Sequence, residues 1–161
     1  MWLPDRRTLL LSLAALAGCG FTPVYGPQGG GTKLLNAVAL DEPTDRDSYD
    51  FNQRFEERLG RGIGPYQLKV STAVTSKGLG SLADGQTTRY RLTGWATYTL
   101  SPVGVDEVLV SGRTSSFTAY SATGSTVATQ TSERDAYRRL MVILADQVVD
   151  RLLLEADTLP E

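Results

Sequence analysis

One cysteine, no histidine and a modest set of carboxylates bound the chemistry open to this 161-residue chain. Without histidine there is no Ser-His-Asp or Cys-His nucleophile activation, no imidazole ligand for zinc or haem, and no imidazole acid–base pair. A single thiol, Cys19, also leaves no internal disulfide and no multi-thiolate metal site. The acid neighbours Glu56/Glu57 and Asp106/Glu107 point apart on a helix or strand, so they read as surface charge and not as carboxylates facing one another across a substrate. Thr114, Ser115 and Ser116 have no base to activate them. The residues thus point away from an enzyme, and they call for no cofactor and no metal. A net charge of −2 likewise argues against a nucleic-acid binder, whose affinity rests on clustered Lys and Arg.

Cys19 has a chemistry of its own, given by its surroundings. Arg6 and Arg7 make a positive start, and Leu9 to Ala17 is an apolar run broken only by Ser12. Such a run is too short for a bilayer core, which takes about 20 residues, and it matches a secretory signal. It finishes as Leu16-Ala17-Gly18-Cys19, which resembles a bacterial lipobox rather than an Ala-x-Ala cleavage site. Small residues at 17 and 18 let the backbone enter a peptidase, and the Cys19 thiol accepts a diacylglyceryl group. Cleavage then frees its amine for a further acyl chain, and two lipid attachments give stable anchoring where one does not. Gly20 after the cysteine resembles the outer-membrane sorting pattern of two-membrane bacteria. The expected layout is a signal peptide at 1–18, a lipidated cysteine with a flexible tether at 19–33, and one domain at 34–161.

The tether reading rests on "FTPVYGPQGGGT" (Phe21 to Thr32), rich in Gly and Pro without a period. Leu34 to Leu40 then reads as a strand. Asp47 or Ser48 can cap a helix to about Arg61, with Phe51, Phe55 and Leu59 on one stripe. Three strands follow. Tyr66, Leu68, Val70, Thr72 and Val74 share one face of the first. Tyr90, Leu92, Ala96, Tyr98 and Leu100 share one face of the second. The third, Val108 to about Tyr120, alternates less cleanly, as a bulge near Gly112 would explain. Glu133 to about Glu155 is the clearest helix, with Ala136, Leu140, Ile143, Leu144, Val148 and Leu152 in a stripe and Ser132 or Thr131 as cap. The order βαβββα predicts an α+β two-layer sandwich: a four-stranded, mostly antiparallel sheet with both helices on one face.

The opposite face of that sheet would show Lys69, Arg89, Arg91, Thr93 and Trp95. Such a set suits phosphate or carboxylate groups and, at the Trp, acyl chains or a partner; an ordinary solvated face is the plainer account. Ser76 to Thr88 reads as a contact loop carrying Lys77, Leu79 and Leu82, or as a plain mobile one.

"LAGCGFTPVYG" (Leu16 to Gly26) resembles the start of the LPS-assembly lipoprotein family LptE. "SERDAYRRLMVILADQVVDRLLL" (Ser132 to Leu154) is similar to that family's last helix, and "FTAY" (Phe117 to Tyr120) to the strand before it. The resemblance covers essentially the whole mature chain. It implies an outer-membrane lipoprotein that sits as a plug inside a large β-barrel, LptD, and helps it assemble and insert lipopolysaccharide, with direct lipopolysaccharide binding in some members. Only Cys19 carries over by motif; Lys69, Arg89, Arg91 and Trp95 are candidates from the sheet pattern, and Lys77 from the loop between the second and third strands. The rival is an adaptor lipoprotein of another envelope system, such as an ABC-type lipid transporter.

Overall fold

A computed structural model describes Gly26, residues 30–80 and residues 87–160. The signal peptide, Cys19, most of the tether and Leu82 lie outside the described residues. The elements are β1 (Val38–Leu40), α1 (Arg46–Leu59), β2 (Tyr66–Gly78), β3 (Arg89–Pro102), β4 (Val110–Ser121) and α2 (Thr126–Glu155). Short 3-10 turns at Gly30–Lys33 and Ala156–Thr158 pack on each other at one end. The sheet runs β1-β2-β3-β4, with β1 parallel to β2 and the other pairs antiparallel. Both helices cover one face, as the alternation and stripes predict.

Local chemistry sets the element ends, and several differ from expectation. The apolar run at 34–40 is extended only over its last three residues. Asn36 takes a left-handed backbone (φ 57°) and donates its N–H to Leu59 O at 2.7 Å, which breaks the strand and turns Leu34 into the core. The 3-10 turn starting at Gly30 likewise brings order to the stretch expected as tether. In α1 the cap is Asp45, not Asp47 or Ser48: its carboxylate accepts the Ser48 N–H at 2.7 Å, while Ser48 Oγ accepts the Asp45 N–H at 3.0 Å. The helix stops at Leu59 because Gly60 turns the chain and donates to Glu56 O.

β2 runs on to Gly78, so Lys77 is a strand residue and the connection to β3 is shorter than expected. β4 holds no bulge: pairing is unbroken from Leu100↔Val110 to Arg89↔Ser121. Gly112 instead makes room for the Tyr98 ring, since a Cβ there would sit 2.6 Å from Tyr98 Oη. The blurred alternation of β4 comes from inward threonines. Thr118 Oγ1 donates to Ala136 O at 3.0 Å, whereas the buried Thr114 Oγ1 has no hydrogen-bond partner among the described residues.

α2 begins at Thr126, capped by Ser125 Oγ, seven residues before the expected Glu133. Thr131 is not a cap; its hydroxyl donates back to Val127 O. At 30 residues α2 is about 45 Å long and matches the long β2–β3 pair. Its buried stripe is Ala136, Leu140, Met141, Leu144, Ala145, Val148, Val149 and Leu152. Ile143 is only partly buried. Leu140 and Leu144 press on β3 where Gly94 has no side chain; a Cβ there would lie 2.9 Å from Leu140. Phe51, Phe55 and Leu59 of α1, with Leu68, Leu92 and Leu100 of the sheet, complete the core, all at most 1% exposed. On the wet side Asp146 joins the helices, accepting from Arg54 Nε (2.9 Å) and Arg58 Nη1 (3.3 Å), and Asp150 accepts from Arg58 (2.8 Å).

Candidate functional site

Strand register decides which polar side chains meet on the uncovered face. Successive residues alternate faces, and paired residues share one. With Leu68, Leu92 and Tyr98 inward, the outer face carries Lys69 and Lys77 from β2, Arg89, Arg91 and Trp95 from β3, and Arg113 and Phe117 from β4. All five cations are exposed, and none forms an ion pair among the described residues. β2, β3 and β4 contain no Asp or Glu at all.

The register sorts the expected residues. Lys77 stands directly opposite Arg91, with Arg89 two residues further along the same face. Trp95 lies one row past the Thr75–Thr93–Phe117 row. Lys69 is eight residues from Lys77, roughly 26 Å along the strand, and belongs to the other end of the face. Leu79 is only partly buried; its N–H donates to Arg89 O, holding the chain past β2 beside β3.

Arg113 and Phe117 are the members that sequence reasoning missed. The Arg91 guanidinium lies 5.0 Å from the Phe117 ring centre, and Arg113 lies 5.5 Å from that of Trp95. Phe117 remains 61% exposed. Each contact is a cation–π pair across neighbouring strands, which fixes a guanidinium while leaving its N–H groups free to donate. Like charges placed directly opposite on a sheet cost stability, so the Lys77–Arg91 juxtaposition favours an anion that spans both. Flat aromatic surface between the cations suits apolar chains beside the anionic groups.

On the helix side several charges are spent in pairs. Glu56 holds Arg61, Glu57 holds Arg54, and Asp135 holds Arg138 and Arg139. A cleft of about 450 Å³ beside β1 and α1, lined by Asp41, Glu42, Tyr49, Asn52, Glu56 and Arg61, is acidic where the sheet face is basic. Among the described residues no group of His, Cys, Asp or Glu could hold a metal ion, and no helix is long and apolar enough to cross a membrane.

This architecture is that of a class of bacterial lipoprotein domains. A chain described as a lipoprotein from Caulobacter crescentus CB15 superposes with a TM-score of 0.66 at 17% identity, covering 80% of this chain and 96% of that one. The rare lipoprotein B from Shewanella oneidensis gives 0.56 at 9% identity, over 76% and 95% of the two chains. A minor lipoprotein from Acinetobacter baumannii gives 0.55 at 18%, over 77% and 92%. Identities so low establish a shared fold. Among curated proteins, none matches the sequence significantly. The particular family is given by sequence: the model of the lipopolysaccharide-assembly family LptE matches residues 35–152, and the chain belongs to that family. It is a family of assembly lipoproteins and not of enzymes.

Proposed function

We propose that this protein is anchored through Cys19 to the outer membrane, with its domain on the periplasmic side or within a barrel lumen. There it pairs with an LptD-type β-barrel as plug and assembly partner, for the transport and insertion of lipopolysaccharide. The family match over residues 35–152 carries this reading. The sheet face adds physical support: lipopolysaccharide combines phosphates with acyl chains, and the face combines cations that form no ion pair among the described residues with the exposed Phe117 ring and the half-buried Trp95 ring. Its polar, serine- and threonine-rich surface also suits a wet barrel lumen. In this reading Lys77, Arg89, Arg91 and Arg113 meet anionic groups, and Trp95 and Phe117 meet acyl chains or barrel residues. Lys69 serves a separate contact.

The test is a pull-down of the native, detergent-extracted protein with its partners identified, and a mass measurement of its amino terminus. Recovery of an outer-membrane barrel, with an acylated amino terminus at Cys19, is the expected result. Recovery of an inner-membrane ABC-type transporter would transfer the protein to the rival adaptor role. An unprocessed terminus with a free thiol would remove the anchor.

A further inference from the structure

We propose that the anchored domain, when not engaged by a barrel, stands end-on upon a zwitterionic lipid surface, seating Ile63, Val103, Val105 and Val108 at the boundary of headgroups and acyl chains. The proposal rests on the reading of Cys19 as the lipid attachment point.

These four side chains are 101%, 56%, 53% and 56% exposed, and none contributes to the core. Three of them lie on the single turn joining β3 to β4, where Gly104 at φ 79° supplies the turn geometry without any need for apolar residues. The Val103 N–H donates to Pro65 O at 2.8 Å, which sets this turn beside the loop carrying Ile63. The aliphatic tips thus share one end of the sandwich.

The ordered chain also enters at that end. The Gly30–Lys33 turn packs on Ala156–Thr158, Lys33 Nζ donates to Leu159 O (3.2 Å), and Tyr66 Oη donates to Pro160 O (2.6 Å) at the start of β2. Eleven residues lead from Cys19 to Gly30, at most about 40 Å when fully extended. A tether of this reach holds the tips near the bilayer at roughly millimolar effective concentration, so contacts too weak to recruit a free protein still orient an anchored one.

Charge selects the lipid. Among the described residues Asp106 and Glu107 sit beside the tips in no ion pair, and both would be repelled by an anionic surface, whereas Arg61, two residues from Ile63, is held by Glu56 at 2.9 Å. The Lys77–Arg89–Arg91 group lies at the far end of β2 and β3, so attraction to anionic lipid would seat the domain the other way up. An end-on seat on neutral lipid leaves the basic face standing clear of the membrane and open to its ligand.

The test uses the mature protein extracted from its native membranes and reconstituted in phosphatidylcholine vesicles that carry a bilayer-borne fluorescence quencher. With the Cys19 sulfur held in a thioether, Val105→Cys or Ser76→Cys is the only free thiol for an environment-sensitive label. The Val105 label is expected to shift to the blue and to be quenched severalfold more than the Ser76 label, and adding Val103→Asp with Val108→Asp is expected to abolish that difference. Equal quenching at both positions, stronger quenching at Ser76, or no quenching at either in protein that floats with the vesicles would overturn the end-on seat alone. Protein that fails to float with the vesicles would overturn the lipid anchor, and the seat with it.

Discussion

Arg89→Glu combined with Arg91→Glu separates binding from folding on the basic face. Neither arginine holds a carboxylate among the described residues, so no ion pair is lost. The folded state loses the Arg91–Phe117 contact at 5.0 Å, worth about 0.5–1 kcal/mol at an exposed site. It regains part of that, because the Arg91→Glu change sets a carboxylate opposite Lys77 where a like charge stood. A net cost below ~1 kcal/mol lowers the melting temperature of a domain this size by no more than about 5 °C. Binding should respond far more strongly. The face falls from five positive charges to a net of one, and two charge-assisted hydrogen bonds to an anion are worth about 1.5–3 kcal/mol each. Affinity for lipopolysaccharide, titrated by fluorescence at low salt, should therefore drop by roughly 100-fold or more. At about 1 M salt, where the screening length is about 3 Å, the two proteins should converge. Arg138→Glu, on the helix side and paired with Asp135, is the matched control and should leave affinity unchanged. A double variant that melts normally yet binds both lipopolysaccharide and the barrel as before would refute the assignment of this face.

Further outcomes follow from the same geometry. Leu140→Ala, wholly buried beneath Gly94, should cost about 2–5 kcal/mol in denaturant unfolding. Asp146→Ala removes the acceptor shared by Arg54 and Arg58; because all three side chains are 24–34% exposed, the expected loss is about 1 kcal/mol, and smaller at high salt in thermal melts. Burial, then the nearby Glu133 carboxylate, pushes the Tyr120 phenol up to about 12 from an ordinary value near 10. A raised folded pKa means stability complete below pH 10 and lost as pH climbs toward 12, so alkaline melts of Tyr120→Phe should be flatter across that window. Cys19→Ala should leave the domain folded by circular dichroism while releasing it from the membrane fraction.

What the sequence revealed depended on whether a residue's neighbours differed in polarity. β3 was plain because Leu92, Ala96, Tyr98 and Leu100 alternate with Arg, Thr and Trp, and the placement of Arg89, Arg91 and Trp95 followed. β4 hid its contribution. Between Val110 and Tyr120 its inner face is Gly112, Thr114, Ser116 and Thr118, as polar as its outer one, so Arg113 and Phe117 have no contrast to mark them. Counting back by twos from the exposed Phe117 would have found Arg113. The first two turns of α2 were equally obscure: Thr126 to Ser132 carries no apolar stripe, since that part of the helix runs past the core. Asn36 shows the opposite failure, where an apolar run hid one left-handed residue that ends the strand. Lys77 looked like loop because Ser76, Lys77 and Gly78 bury nothing, although they pair in full register with β3.

The match in length between α2 and the β2–β3 pair has a mechanical meaning. Both run about 45 Å, close to the full depth of a bilayer with its headgroup layers. A body braced along its whole long axis by one unbroken helix behaves as a stiff strut. Set upright in a membrane pore of that depth, it would reach from rim to rim.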